Sequence, residues 1–523
     1  MLLIPLLGCF LILLGCTLAS KHRRLINWGL VFRAFALQWI MAIVLFKVPQ
    51  ARELLKHVGE GIEQLQHFAD VGSAFVFGGF VSKPEALQSL FGPEGGFIFA
   101  LQLVPIIVFV AALVSYLYHI GVLPWVVRLL STVVNRLIGV SGAEALSNTA
   151  SVFVGQVEAQ LLIKPYLGKL TQSELLAVMT GSFACISGGM MAVYISMGIP
   201  ASFLLTASVM SIPSAFLVSK LLLPDTHEPQ TRGAANLKLE KKATNWVDAL
   251  AQGAAEGWHI GVSVLAMLIA FVALVAMVNA GLHTVGEQCI AWGWLPAAKA
   301  IGFPLELLSL SSLLGWLFYW LAVGLGIPLN EASTAASLLG TKLMLNEFVA
   351  YSDMLQASKH GLLSPLSQAI LSVALCGFAN LGSVAMQLGG IGAMVPERRS
   401  DLAQLGIKAM IAGTLASYLS AITMGLMVVM QQGHTPSWVW WGIITVALAV
   451  LLLSHLVPAP VLLPRGGLRF AEPPLSPASH KAMEAPLPAP PDAPQRDNPF
   501  QTGDNIFQFK PRSPNSESPE SET

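Results

Sequence analysis

One stretch decides how this chain folds: Ser151-Val-Phe-Val-Gly155-Gln156-Val157-Glu158-Ala-Gln160. It sets an amide and a carboxylate inside a long apolar region. A carboxylate at bilayer depth is costly, so such residues usually mark a substrate or ion pathway. The surrounding segment, from Ala143 to Leu170, contains two glycines, a proline and two lysines, too many interruptions for a plain spanning helix. We therefore predict a hairpin that enters the membrane and leaves on the same side, buried in protein or lining a watery cavity.

A second copy of this arrangement follows later in the chain. The segment from Glu144 to Glu158 can be aligned with the segment from Glu331 to Glu347, and each ends in an amide–acid element. Downstream of each lies an apolar segment interrupted by small and polar residues, at 183–189 in the first copy and 376–383 in the second. Paired segments of this kind indicate a transporter site built from broken helices at a repeat interface.

Composition excludes a soluble protein. The chain has 523 residues, of which 54% are hydrophobic and 11% charged, and its mean hydropathy is +0.66. Soluble proteins average about 25% charged residues, so this is an integral membrane protein. The net charge is zero, which leaves no electrostatic footprint for nucleic acid. Four of the five cysteines fall in apolar segments and Cys289 lies near a predicted outer helix end, so no disulfide framework is predicted.

The order of apolar and polar segments predicts an all-α membrane protein with nine spans. The predicted divisions are two N-terminal transmembrane helices at 1–48, a periplasmic loop at 49–95 with an amphipathic piece from Ala51 to His67, a first transport repeat with hairpin 1 at 96–224, a cytoplasmic linker at 225–245, a second transport repeat with hairpin 2 at 246–430, an additional C-terminal transmembrane helix at 438–457 and a disordered cytoplasmic tail at 459–523. Residues 1–20 are either a retained helix or a signal peptide, and the basic cluster after the apolar run favours the retained helix.

Four further expectations concern the repeats. Leu123–Ile138 is predicted to be a helix lying along the inner membrane interface. Leu308–Leu325 is long enough to span, but the order of the repeat favours an outer interfacial helix. The long helix before it is predicted at 246–282. For Lys342 and Asp353 the structural interpretation is that they only pair with each other at the outer end of hairpin 2.

Several motifs closely resemble the concentrative nucleoside transporters. They are Val154-Gly-Gln-Val-Glu158, Lys164-Pro-Tyr166, Gly340-Thr-Lys342, Leu345-Asn-Glu-Phe-Val-Ala-Tyr351, Ala374-Leu-Cys-Gly-Phe-Ala-Asn380 and Pro396-Glu-Arg-Arg-Ser-Asp-Leu402. The resemblance runs from about residue 95 to residue 430. It implies a homotrimeric, inverted-repeat transporter of the bacterial inner membrane, with two re-entrant hairpins, broken helices and interfacial helices. Such proteins import nucleosides with Na⁺ or H⁺ and use no other cofactor; the ninth span and the tail depart from their plan.

The resemblance also implies a set of site residues. Those near the base would be Gln156 and Val157, beside Glu158, together with Met190. Those near the ribose would be Glu347, Asn380 and Ser383, with Phe378 packing nearby. A carboxylate accepts hydrogen bonds from ribose hydroxyls, an amide both donates to and accepts from a base edge, and an aromatic ring gives apolar contact. The coupling cation would lie at Ser151, Val154, Cys185 and Ile186.

Four positions depart from the family's usual residues. The family commonly has Thr at Val157, Pro at Gln160, Asn at Ser151 and Ser at Cys185. The last two departures touch the implied cation site. A thiol is a poor ligand for a hard cation, which prefers oxygen, so Na⁺ and H⁺ both stay open as coupling ions.

Other interpretations of the same residues stay open at this point. Glu158 and Glu347 would also suit caps at half-helix N-termini, where the helix dipole favours an anion. Alternative functions also stay open. One is transport of another substrate, such as a nucleobase or a nucleoside analogue, and another is a different class of protein, such as a channel or a membrane enzyme. A channel needs a continuous polar pore, whereas polar residues here concentrate at two matched hairpins. No metal-ligand cluster, nucleophile elbow or phosphate loop indicates an enzyme.

Basic residues set the predicted orientation, and a reporter can test it. The basic clusters at 21–24, 128–136, 164–169, 232–242, 398–399 and 465–469 all fall on one side of the nine-span arrangement, which is then cytoplasmic. A phosphatase that works only in the periplasm, fused after residue 470, is expected to stay inactive in whole cells. A cytoplasmic reporter at the same position is the control and should be active. The reverse pattern would show that the last helix does not span or that the orientation is inverted.

Overall fold

The computed structural model describes residues 3–82, 98–232 and 243–457, except 302, 304, 434–436, 455 and 456. The predicted tail at 459–523 lies outside the described residues, as do 83–95 of the predicted loop and 233–242 of the predicted linker. Within the described ranges the chain is helical with short turns, and its only β-type pairing is an isolated bridge between Ser141 and Arg232. The predicted all-α fold is confirmed.

Four α-helices precede the first repeat within residues 3–82. They are α1 (Leu3–Ala19), α2 (Trp28–Lys47), α3 (Pro49–Phe77) and α4 (Gly79–Ser82). The amphipathic piece predicted from Ala51 to His67 is longer than expected, because α3 is one continuous helix from Pro49 to Phe77; the periplasmic position of residues 49–95 stays a prediction. Pro49 starts α3 at a position where the missing N–H costs nothing.

The first repeat contains an interfacial-type helix, an interrupted hairpin, a broken helix and a long helix. Its elements are α5 (Phe99–His119), α6 (Val122–Ile138), α7 (Gly142–Ala150), α8 (Glu158–Leu161), α9 (Lys164–Leu167), α10 (Gln172–Ala184), α11 (Gly188–Ser196) and α12 (Ala201–Leu222). The break predicted in the span after hairpin 1 is present between α10 and α11.

The second repeat follows the same order. Its elements are α13 (Trp246–Ala291), α14 (Leu295–Ala300), α15 (Leu310–Leu317), α16 (Tyr319–Gly324), α17 (Ala332–Met344), α18 (Glu347–Lys359), α19 (Pro365–Ala374), α20 (Leu381–Met394) and α21 (Arg399–Gln432), and α22 (Ser437–Leu453) comes last. The core lies around α21, which packs against α10, α12 and α19.

Two predicted boundaries in this half differ from the structure. The helix predicted at 246–282 runs on to Ala291 as α13, since no proline intervenes. The predicted interfacial helix is divided into α15 and α16 by Phe318. Cys289 was placed near an exposed outer end, but it is buried against Leu305 and Leu308.

Four helical stretches among the described residues are long and apolar enough to cross a membrane by length and composition. They are Trp28–Lys47, Gln172–Ser196, Ala201–Leu222 and Pro396–Gln431. A fifth candidate is the pair formed by α5 and α6, which is bent by 77°. Helix α6 buries Val127 and Val134 on one face and exposes Trp125 and Leu129 on another, a pattern that suits a helix lying in the interface. The full count of nine spans stays a prediction.

Close packing of α13 on α5 depends on three glycines spaced four residues apart. Side chains added at Gly253 or Gly257 would lie 2.6 Å from the Ala111 oxygen and 2.7 Å from the Val108 Cα, respectively. Gly261 continues the same face against Val104. Small residues at this spacing let membrane helices approach closely, since van der Waals packing holds them together.

We expect Gly257→Ala to destabilise this helix pair. The added methyl meets backbone atoms that cannot move aside, and such overpacking costs about 1–3 kcal/mol. Thermal unfolding of the purified protein in detergent measures the effect. Gly281→Ala is the matched control on the same helix, because a side chain at Gly281 meets nothing within 4 Å. Equal melting temperatures for the two variants would contradict the packing described here.

Candidate functional site

Two helices are broken at matching places in the two repeats. In the first repeat α10 ends at Ala184 and α11 begins at Gly188; in the second, α19 ends at Ala374 and α20 begins at Leu381. Each break leaves helix-end carbonyls and amides without partners in their own helix. At membrane depth those groups have no water, so the protein must supply their hydrogen bonds.

The restarted helices are capped by side chains from the breaks. The Ser187 hydroxyl accepts from the amide of Met190 at 3.4 Å, and Asn380 Oδ1 accepts from the amide of Ser383 at 2.8 Å. Both caps are residue types favoured at helix N-termini. Two of the sequence-predicted site residues, Met190 and Ser383, therefore lie in the first turn of a half-helix.

The two breaks also contact each other. The Phe378 amide donates to the Cys185 carbonyl at 3.4 Å. Gly377 has a φ of +146°, and a side chain there would lie 2.7 Å from the Phe183 carbonyl oxygen. Only glycine suits such a position, because it combines a positive φ with close backbone approach.

A serine on α21 serves both breaks. The Ser417 hydroxyl lies 3.1 Å from the Cys376 carbonyl oxygen and 3.4 Å from the Ala184 carbonyl oxygen. It is buried, and it also lies 3.1 Å from the Gly413 oxygen of its own helix. One hydroxyl proton is thus shared among carbonyls of α10, of the second break and of α21.

Hairpin 1 is fixed at its base by charge. Ser141 and Glu144 form a reciprocal cap at the start of α7. The buried Lys220 ammonium lies 2.6 Å from Glu144 and 2.7 Å from Asp225, and it donates to Ser173 at 3.2 Å. A buried ion pair is strongly destabilising to break, since one charge would be left without its partner.

The tip of hairpin 1 is the non-helical stretch 151–157 between α7 and α8, as predicted. The Gly188 amide donates to the Phe153 carbonyl at 3.2 Å, which ties the tip to the start of α11. Beside the tip is a cavity of about 150 Å³. Among its lining residues are the predicted Val154, Glu158 and Met190, together with Glu256 of α13.

Gln156 faces α20 rather than this cavity. Gln387 Nε2 lies 3.5 Å from Gln156 Oε1, and Gln156 Nε2 lies 3.8 Å from the Met386 sulfur. Val157 is half-buried, and its methyl groups occupy the space beside Gly390 on α20. The first hairpin thus meets the second broken helix through the two residues expected to lie near the base.

Glu347 lies in a buried polar cluster. The Tyr194 hydroxyl donates to Glu347 Oε1 at 2.8 Å, and Asn380 Nδ2 donates to Glu347 Oε2 at 3.1 Å. The carboxylate begins α18, where the preceding Asn346 side chain caps the helix at 2.9 Å. The nearby Ser383 hydroxyl is buried with no hydrogen-bond partner among the described residues.

The structure therefore groups the predicted residues into three sets. Glu347, Asn380 and Ser383 lie together. Gln156 and Val157 lie against α20, and Glu158 and Met190 line the cavity. Phe378 is half-buried and packs against the core.

The sequence analysis did not predict two residues that contact the predicted site residues, Tyr194 beside Glu347 and Gln387 beside Gln156. Tyr194 follows Met190 by one helical turn on α11, so helical spacing from a predicted residue was a usable signal. Gln387 follows Ser383 by one turn on α20 in the same way. Both carry polar groups into the contact between the repeats.

The four residues of the implied cation site lie where hairpin 1 meets the first break. The Ser151 hydroxyl donates to the Ser147 carbonyl at 2.9 Å, and Val154 lines the cavity. The Cys185 thiol is turned back to the Gly181 carbonyl at 3.2 Å, and Ile186 is fully buried. The Ser151 hydroxyl and main-chain carbonyls outside the helices are oxygen donors of the kind a hard cation prefers, and the donor set therefore fits a cation without the thiol.

The expected pairing of Lys342 with Asp353 is wrong. Lys342 is fully buried, and its Nζ donates to the Ala374 carbonyl at 2.8 Å. The reason is that α19 ends at Ala374 with free carbonyls, and a cation is favoured at the negative end of a helix dipole.

Comparison with known proteins agrees with this architecture. Residues 7–80 and 203–425 match the N-terminal and C-terminal parts of the Na⁺ dependent nucleoside transporter family, and residues 100–201 match a nucleoside recognition domain. The nucleoside permease NupC of Helicobacter pylori is 36% identical over 82% of this chain and 98% of its own length. The mouse sodium/nucleoside cotransporter 1 is 34% identical over 80% of this chain and 62% of its own length.

Solved structures are similar over the same region. The transporter CNTnw in an inward-facing substrate-bound state superposes with a TM-score of 0.75 at 40% identity, over 82% of this chain and 99% of that one. These matches confirm the inverted-repeat fold and do not favour a channel, an enzyme or a different metabolite. This chain belongs to the concentrative nucleoside transporter family, and it is a multi-pass inner-membrane protein that transports nucleosides coupled to a cation.

Proposed function

We propose that this chain imports nucleosides by alternating access with Na⁺ as the coupling ion, and that Glu347 is central to ribose binding. The carrying observation is the buried cluster in which Tyr194 and Asn380 donate to the two oxygens of Glu347. Two hydroxyls of a ribose are donors of the same kind, so they suit the same carboxylate. Asn380 and Ser383 would complete the sugar subsite, with Phe378 beside it.

The base would lie against hairpin 1. Gln156 presents an amide that can both donate and accept, which suits a base edge. Val157 would contact the base from the same side as Gln156, and Glu158 and Met190 would contact it from the neighbouring cavity. The support is the contact of this hairpin with α20, which carries Ser383 at its first turn.

The coupling cation would be held at Ser151, Val154, Cys185 and Ile186. Oxygen donors at the hairpin tip and the first break support Na⁺, and so does the family's Na⁺ dependence. Coupling to H⁺ is the alternative. We also propose a homotrimer, in which the exposed apolar face of α13, with Trp258 and Ile269, would be covered by lipid or by a neighbouring protomer.

Uptake into proteoliposomes tests the function. Radiolabelled uridine is supplied under an imposed Na⁺ gradient, an imposed H⁺ gradient, or neither. Accumulation above equilibrium under the Na⁺ gradient alone is expected. Accumulation only with H⁺ would replace the coupling ion, and equilibration without any gradient dependence would overturn coupled transport.

Glu347→Gln is expected to remove most uptake from a folded protein. An amide in place of an ionised acceptor loses a charge-assisted hydrogen bond of about 1.5–3 kcal/mol, or roughly 10- to 150-fold in uridine affinity. The loss should shrink for deoxyribonucleosides, which lack one of the donors. Glu306→Gln, at an exposed residue paired with Lys299, is the control. Unchanged uridine affinity in Glu347→Gln would exclude this carboxylate from the site.

Val157→Thr is expected to strengthen binding in a base-dependent way. Threonine keeps the shape of valine and adds one hydroxyl, and a new neutral hydrogen bond improves affinity by about 0.5–1.5 kcal/mol, or roughly two- to tenfold. Competition by uridine, cytidine, adenosine, inosine and their deoxy forms measures the effect. Ser383→Ala is the comparison, and its effect should follow the sugar instead. A Val157→Thr effect that follows the sugar would mean that the two subsites are reversed.

A further inference from the structure

A fully buried glutamine connects the two sides of hairpin 1 to the first broken helix. Gln160 lies on α8 with no exposed surface. Its Oε1 accepts from the Ser147 hydroxyl on α7 at 2.6 Å, and its Nε2 donates to the Ser182 hydroxyl on α10. An amide nitrogen can only donate and an amide oxygen can only accept, so the direction of both hydrogen bonds is fixed.

Ser182 passes this constraint to the implied cation site. Its hydroxyl lies 3.2 Å from the Ser151 hydroxyl and 3.2 Å from the Val178 carbonyl oxygen. Because Ser182 must accept from Gln160, its own proton is left for Ser151 or for Val178. The Ser151 hydroxyl donates its own proton to the Ser147 carbonyl, so its oxygen accepts at most one hydrogen bond in this network, from Ser182, and keeps at least one lone pair for a cation.

The same interface holds polar groups that the protein does not satisfy. The Asn148 side chain is buried against Gly181, and neither its nitrogen nor its oxygen has a hydrogen-bond partner among the described residues. The Thr180 hydroxyl, on the same helix as Gly181, is also buried with no hydrogen-bond partner among the described residues. Buried unsatisfied polar groups are rare, and a bound ion or ordered water is a usual explanation.

We propose that Gln160 is a positioning residue for the coupling cation. It fixes the Ser182 hydroxyl, and through it the Ser151 hydroxyl, so that the Ser151 oxygen is held ready for the ion. The assignment rests on the proposed cation site at the tip of hairpin 1. The Cys185 thiol of the implied cation site is turned to the Gly181 carbonyl, so the Ser151 hydroxyl is the side-chain oxygen whose orientation matters for the ion.

The test separates cation affinity from nucleoside affinity. Gln160→Met keeps the length of the side chain and removes both hydrogen bonds. Uridine uptake is measured in proteoliposomes against the concentration of the coupling cation, and then against uridine at saturating cation. The half-saturating cation concentration should rise roughly two- to tenfold, as one lost neutral hydrogen bond predicts, while the uridine KM stays within about twofold.

A buried glutamine elsewhere provides the matched control. Gln38 on α2 is 1% exposed and donates to the Thr423 hydroxyl at 3.2 Å. Gln38→Met should leave the half-saturating cation concentration unchanged. Ser147→Ala is a milder second variant, because it removes only the hydrogen bond to Gln160 Oε1. It should shift cation affinity in the same direction as Gln160→Met but by less. It also tests the proposal if Gln160→Met fails to reach the membrane.

A double-mutant cycle tests whether Gln160 acts through Ser182. If it does, Gln160→Met adds little to the cation shift of Ser182→Ala, because the group it positions is already gone. Additive shifts would overturn the proposal, and so would a Gln160→Met change confined to the uridine KM. Ser151→Ala distinguishes the two levels of failure. If Ser151→Ala leaves the half-saturating cation concentration unchanged, the proposed cation site is wrong. If Ser151→Ala raises that concentration while Gln160→Met and Ser147→Ala do not, only the role of Gln160 is wrong.

Discussion

The whole structure depends on satisfying backbone hydrogen bonds where two helices are broken inside the membrane. A broken helix is tolerated at that depth only when protein groups replace the missing partners. Here each break supplies part of what the other lacks, through the Phe378 amide and the Cys185 carbonyl, and Ser417 serves both. The two repeats are therefore mutually dependent, since neither break would be satisfied if the other were removed.

The groups proposed here for nucleoside recognition also have structural roles. Asn380 uses its oxygen to cap α20 and its nitrogen to bind Glu347. Glu347 starts a helix, where the dipole favours its charge. A side chain with both roles is held in one orientation by the backbone, which is how a site on broken helices stays preorganised despite its lack of regular structure.

The sequence predicted the order of elements well because membrane depth makes polar interruptions conspicuous. The hairpin around Glu158 and the breaks near Cys185 and Cys376 were visible for that reason. The sequence does not show which groups a long side chain contacts in three dimensions. Lys342 was assigned to a surface pair, yet its stem carries the ammonium to the end of α19, a contact that depends on three-dimensional neighbours. The extent of α3 was missed because its polar composition resembles that of a loop.

Two contacts of the proposed site residues could not be predicted for a related reason. Tyr194 and Gln387 each follow a predicted residue by one turn, but many residues share that spacing, and only packing decides which of them reach across to the other repeat. Gln160 was noted only as a departure from the family's usual proline. Its hydrogen bonds to Ser147 and Ser182 became apparent when α7, α8 and α10 were seen together.

The burial of the Lys342 ammonium bears on the response to membrane voltage wherever hairpin 2 moves through the transmembrane field. The ammonium is part of the protein chain. If hairpin 2 crosses part of the transmembrane field during the transport cycle, this charge must therefore return by the same path before the next cycle. An elementary charge crossing the full field is worth about 2.3 kcal/mol per 100 mV. Lys342 can therefore make individual steps voltage-sensitive, yet it contributes nothing to the net charge moved per turnover. The steady-state current reports only the ions that are released.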